Sequence, residues 1–337
     1  MFRTALVPFL ALAAVVAQQP WTGRSFLLDD YRNVVFADLA ALRRCGVFED
    51  LEASVLNVVF RQMEREAGFL LSALDRVTVV GSMPQGGPKE ADPVQIVVFE
   101  GNAPLGLPAS VTKENWTKEE IAGTVVHRRK RGDGLVVTAR PELQVWGPPA
   151  HLEPVLAGRP HAGLPDAGVM SLLSGRGDNL AYFVVDVGHP VMREHLLQRL
   201  FPAVEWPAEA APTDLLVRLR AVGEADDPRL EVEAVLRHAK AGEGLATTTE
   251  AFAGWLKRVE ADPQLRGLRP LWKKVETKVD RTDFTVRLDL GRPRQAVDQL
   301  ALLAAPILKP RTEAALPPPP VVVEPVPAGG PLQPPKK

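Results

Sequence analysis

The chain has 337 residues, 46% hydrophobic and 24% charged, with 40 basic against 41 acidic side chains and a formal net charge of −1. That length supports one large or two modest domains held by burial alone, and the near balance of charge excludes the broadly basic surface on which nucleic-acid binding depends. A single cysteine, Cys45, excludes an intramolecular disulfide. Placed after Leu42-Arg43-Arg44 near a helix end, it reads as a small buried apolar residue and not as a nucleophile.

Residues 1–17 carry Arg3, an apolar run from Ala5 to Ala17, and small residues before Gln18, which is the form of a cleavable export signal. A bilayer core about 30 Å thick needs roughly 20 apolar residues to span it. This run is shorter and contains Pro8, so cleavage is expected in place of anchoring, with the mature protein periplasmic or secreted. No cysteine stands at the cleavage point, which argues against a lipoprotein.

Residues 18–165 read as a first α+β module. Val34-Val35-Phe36-Ala37 is a predicted strand. Asp38, or the Glu49-Asp50 pair, can open a helix, with Leu51, Val55, Val58, Val59, Gln62 and Met63 on one face. Val77 to Val80 and Val94 to Phe99 are predicted strands around a Gly/Pro loop from Met83 to Pro93. The second is apolar on both faces and is expected to be central and covered. Thr117 with Glu120 fits a capping box and predicts a brief helical turn. Thr124 to Arg129, Leu135 to Ala139 and Leu143 to Trp146 read as further strands.

Residues 166–309 read as a second module in the same order: a strand from Leu180 to Val187, a helix from Val191 to Phe201, and paired strands from Leu215 to Ala221 and Leu230 to Leu236. Glu90-Ala91-Asp92-Pro93 is echoed by Glu224-Ala225-Asp226-Asp227-Pro228, each before a strand, and the shared element order predicts an internal duplication. A helix follows from about Leu245 to Val259, then a shorter one around Leu268 to Val275. Phe284 to Leu290 alternates as a strand, and a final helix opens at Pro293. Its apolar stretch, Leu300 to Leu308, is expected to dock in the core. Residues 310–337 are proline-rich and predicted to be a disordered tether, spacer or docking peptide. The fold class expected is α+β, a mainly antiparallel sheet with helices packed on one side.

The export segment, the repeated strand, helix and hairpin order, and the proline-rich end together resemble uncharacterised exported bacterial proteins with a duplicated α+β module. The resemblance covers most of the body and implies location and fold. It brings no activity.

Few residues invite chemistry. Ser110-Val111-Thr112-Lys113 matches S-x-x-K, in which a lysine one helical turn away activates a serine, but the companion S-D-N and K-T-G elements are missing. His189 and His195 flank Glu194 at a spacing that points them to different faces, and His127, His151, His161 and His238 stand apart. The basic run His127 to Arg131 precedes Gly132-Asp133-Gly134, as on the solvent side of a hairpin. Arg-Gly-Asp occurs at Arg131-Gly132-Asp133 and at Arg176-Gly177-Asp178, where Gly and Asp are ordinary turn residues. No catalytic, cofactor-binding or metal-ligating residue is assigned, and no cofactor is expected. The function expected is non-enzymatic, that of a binding, structural or assembly component of the cell envelope, with an envelope or extracellular partner, no nucleic acid, and no integral membrane span after signal cleavage. The alternatives are an envelope hydrolase with a dispersed site and a carrier of an apolar ligand.

Overall fold

In a computed structural model of the chain, the described residues are 22–308 apart from 83–93, 109, 162–167, 174, 198–200, 225–226, 264–268 and scattered positions within 55–69 and 202–208. The export segment, the Met83 to Pro93 loop and the proline-rich end lie outside them.

Twelve strands form one sheet: β1 (Asn33–Asp38), β2 (Leu74–Ser82), β3 (Val94–Gly101), β4 (Trp116–Ile121), β5 (Thr124–Arg129), β6 (Leu135–Arg140), β7 (Leu143–Gly147), β8 (Asn179–Asp186), β9 (Pro212–Glu224), β10 (Asp227–His238), β11 (Val275–Asp280) and β12 (Asp283–Gly291). Their spatial order is β11-β12-β10-β9-β8-β1-β2-β3-β7-β6-β5-β4, and neighbours are antiparallel. The two expected modules meet at the β1–β8 pair, with Val34 opposite Val184. They are therefore halves of one sheet, with core residues drawn from both. In each half a strand is followed by helical residues, an adjacent antiparallel pair, and then a strand that lies beside that pair's second member.

Side chains alternate across the sheet, so it has two faces. On the front, Thr285, Val235, Leu216, Val184, Val34, Val80 and Ile96 stand opposite one another in register across seven strands. Six of them are apolar core residues, covered by the segment Phe26 to Tyr31, a helix α3 (Pro149–Leu156) and a 3-10 turn (Gly168–Leu173). Fully burying each such side chain is worth about 1.5–3 kcal/mol.

The back face carries most of the helical mass. Helices α1 (Leu39–Arg44), α2 (Val47–Glu52), α6 (Arg269–Trp272) and α7 (Pro293–Leu308) contribute to one apolar cluster. Helices α4 (Pro190–Met192, continuing to Leu197) and α5 (Glu243–Ala261) contribute to another. Asp38 opens α1 as expected, its Oδ1 accepting from the Ala41 amide at 2.7 Å. In α7, Ala296 and Val297 are buried and Leu300 is half-buried.

Two local expectations are corrected. Thr117 and Glu120 do not cap a helical turn but lie in β4, because Ala122 and Gly123 both have positive φ (48° and 80°) and close a two-residue hairpin onto β5. Around Leu268 to Val275, only Arg269–Trp272 is described as helix, and Val275 begins β11. That strand pairs on one side only and alternates valine or threonine with charge, the pattern of a protected edge.

Candidate functional site

On the front face the apolar row is covered, whereas two residues further along β9, β10 and β12 the same face is charged. Three adjacent strands alternate there: Val217-Arg218-Leu219-Arg220-Ala221, Leu230-Glu231-Val232-Glu233-Ala234 and Val286-Arg287-Leu288-Asp289-Leu290. Their apolar members pack on the back face, so their charged members share the front. Register then fixes the partners. Glu233 stands between Arg218 and Arg287, and Glu231 between Arg220 and Asp289.

Glu233 is 1% exposed and draws on four guanidinium groups: Arg218 at 2.8 Å, Arg176 at 3.3 Å, Arg287 at 3.5 Å and Arg220 at 4.0 Å. Arg218, 3% exposed, also donates from Nη1 to Asn179 Oδ1 at 2.9 Å. Arg220 grips Glu231 Oε1 from Nε and Nη2 at 2.9 and 2.6 Å. Asp283 accepts from Arg237 Nε at 2.9 Å and from Arg176 Nη2 at 3.2 Å.

Burial works against charge at Glu233, but the hydrogen bond and charge of Arg218, with Arg287 and Arg220, hold its carboxyl below the usual range. Asp283 is lowered in the same way, its burial outweighed by Arg237 and Arg176. For Arg218 burial wins and pulls the guanidinium below its ordinary value, although Glu233 opposes this. Asp214 on β9 is raised, chiefly by burial.

Above this floor lies an open basin of about 690 Å³. The 175–178 segment forms one wall and the β11–β12 turn, with Lys278 and Arg281, another. The second Arg-Gly-Asp is thus a piece of the ionic network: Arg176 bridges Glu233 and Asp283, and the Gly177 carbonyl faces Arg218 Nη1 at 3.4 Å. The first, Arg131-Gly132-Asp133, is an exposed hairpin turn between β5 and β6, as expected.

Ser110 and Lys113 are both exposed, and residues 110–113 are not helical. The cleft that Ser110 lines includes Glu114, Arg129 and Asp133 but not Lys113. The lysine's carbonyl instead accepts from Lys130 Nζ at 2.6 Å. No cluster of three or more His, Cys, Asp or Glu side chains fit to hold a metal occurs among the described residues. His238 is a satisfied core histidine. Its Nδ1 donates to the Ala210 carbonyl at 3.0 Å, and its Nε2 accepts from the Thr248 hydroxyl at 3.1 Å. Cys45 is half-buried against apolar neighbours, and burial pushes its thiol pKa up. A further cleft, about 660 Å³, opens over Phe36 and Tyr182, which stack at 4.9 Å, but Asp38, Arg76 and Glu100 also line it.

No family model matches the chain, and neither does any curated protein. Among solved structures it is similar to crystal forms I and III of TP0453. These are 9% and 10% identical, each at a TM-score of 0.44, and the likeness covers 83% of this chain and 96% and 98% of theirs. The candidate site therefore rests on this chain's own residues.

Sequence reading assigned none of the basin residues. The signal was present, in three strands whose charged positions alternate with opposite sign, but their adjacency depends on a sheet order that the sequence does not print.

Proposed function

We propose that the chain is an exported binding component of the cell envelope, and that the arginine basin is the surface by which it holds an anionic partner. The observation that carries this reading is Glu233: one buried carboxylate set among four guanidinium groups, under a basin open to solvent. Arginines held by packing and by the carboxylates between them lose little freedom when they meet an oxyanion, and their planar forks suit carboxylate or phosphate. The expected export signal in residues 1–17 supports the location.

Two measurements test it. N-terminal sequencing of exported material should find the mature chain beginning at or near Gln18, whereas intact Met1 in a membrane-bound form overturns the cleaved-export part. The purified mature protein should sediment with washed envelopes in low salt and be released as salt rises. Reversing Arg287 and Lys278 together to Glu should abolish that sedimentation, and unchanged sedimentation overturns the role of the basin.

A further inference from the structure

Resting on that reading, we infer that the basin takes a phosphate group. The argument begins with charge. Seven cationic side chains line the basin against four acidic ones, and Glu231 behind Arg220 is a fifth acid, leaving a surplus of two positive charges. A phosphate monoester carries nearly two negative charges near neutral pH, whereas a single carboxylate carries one and would leave the surplus half met.

Hydrogen-bonding capacity points the same way. The Nε atoms of Arg218 and Arg287 are both buried without an acceptor. Arg287 lies within ion-pair range of Glu231 and Glu233, at 3.9 and 3.5 Å, with 42% of its side chain still open to solvent. Its guanidinium is the floor group best able to turn toward a ligand.

Spacing also fits. Neighbouring strands lie about 4.8 Å apart, and alternate residues of one strand about 6.7 Å. Guanidinium groups on such a lattice converge on one tetrahedral anion from several sides, and charge-assisted bonds of this kind are the strong ones. Lys278 and Arg281 on the rim add long-range attraction.

The phosphate could be free or could belong to a lipid headgroup, and titration calorimetry of the full mature chain with two probes separates these sources. One probe is inorganic phosphate. The other is a vesicle of phosphatidylcholine with or without phosphatidic acid, whose headgroup is a phosphate monoester. Arg287→Gln should weaken binding of the responding probe about tenfold or more, and Lys278→Gln should weaken it less; the thermal midpoint should be nearly unchanged in Lys278→Gln and only modestly lowered in Arg287→Gln, because Glu233 keeps Arg218 and Arg176. Binding of inorganic phosphate assigns the free source, and binding only to vesicles that contain phosphatidic acid assigns the lipid source.

The inference is overturned if neither probe binds, if Arg287→Gln leaves binding intact, or if succinate binds as well as phosphate. Should these fail while envelope sedimentation still depends on Arg287 and Lys278, the binding function stands and only the phosphate assignment falls.

Discussion

Along the row Val80, Val34, Val184 and Leu216, the front of the sheet is buried under hydrocarbon, whereas two residues along the strands Arg218 and Glu233 are buried against each other. Apolar burial is non-directional and closes its surface, which is why α3 and the Gly168–Leu173 turn cover that half. Ionic burial needs each charge matched in place. Matching five arginines with three acids leaves a surface that stays wet, cationic and open. The contrast separates a half that stabilises the sheet from a half that can recognise something.

Glu233→Gln should break the charged half most severely. Removing one partner of a buried ionic group costs about 3–5 kcal/mol, read by urea unfolding. Replacing a buried pair by hydrocarbon is often neutral, yet Arg218→Met with Glu233→Leu should still destabilise, because Arg176 and Arg287 lose the same carboxylate. A neutral double variant would reduce the network to a single pair.

In the apolar half, Leu152→Ala in α3 should cost about 2–5 kcal/mol. Unlike the Glu233 loss, it should change little between low and high salt. Equal salt responses would erase the distinction between the halves.

Acid should sharpen it. His238 is neutral in the fold and its pKa is lowered by burial, so the unfolded chain binds the proton more readily. The stability this provides is full above the ordinary histidine pKa of about 6.5 and is lost as pH falls through the lower folded value, by up to about 1.4 kcal/mol per pH unit. Glu233 and Asp283, also lowered, should give a second loss at more acid pH, below their ordinary values. A His238→Gln variant should shrink the first phase, leaving the part due to His127, whose pKa burial also lowers, and keep the second in pH-dependent unfolding.

Smaller effects bound the comparison. Asp38→Ala should cost about 1 kcal/mol by removing the cap of α1. Ser110→Ala and Lys113→Ala, both exposed, should shift stability by less than about 0.5 kcal/mol. An acyl-enzyme at Ser110, detected by mass spectrometry, would instead restore the hydrolase alternative.

Ten of the twelve strands were legible in the sequence. Alternation and β-branched runs mark them locally, and Val94 to Phe99, apolar on both faces, lies within the sheet as expected. Where reading failed, neighbours decided the outcome. Thr117 and Glu120 carry a valid capping pattern that the positive φ of Ala122 and Gly123 overrides. Val275 falls at the end of the short predicted helix, and Glu276 to Asp280 carry no predicted element, yet β12 pairs with all six as a strand. The basin was hidden because its six arginines are spread from Arg176 to Arg287, without the contiguous run that marked His127 to Arg131 as basic.

By itself, then, the sequence determined ten of the strands, the Gly132-Asp133-Gly134 hairpin turn, the α+β class and which side of those strands is apolar, since these follow from torsional preference and from a period of two residues. Tertiary structure alone decided that the two halves share one sheet, that Glu233 falls between Arg218 and Arg287, and that only one half of the front face is covered. The physical reason is that charge complementarity depends on register between strands far apart in the chain. A one-residue slip would turn the same arginines to the opposite face.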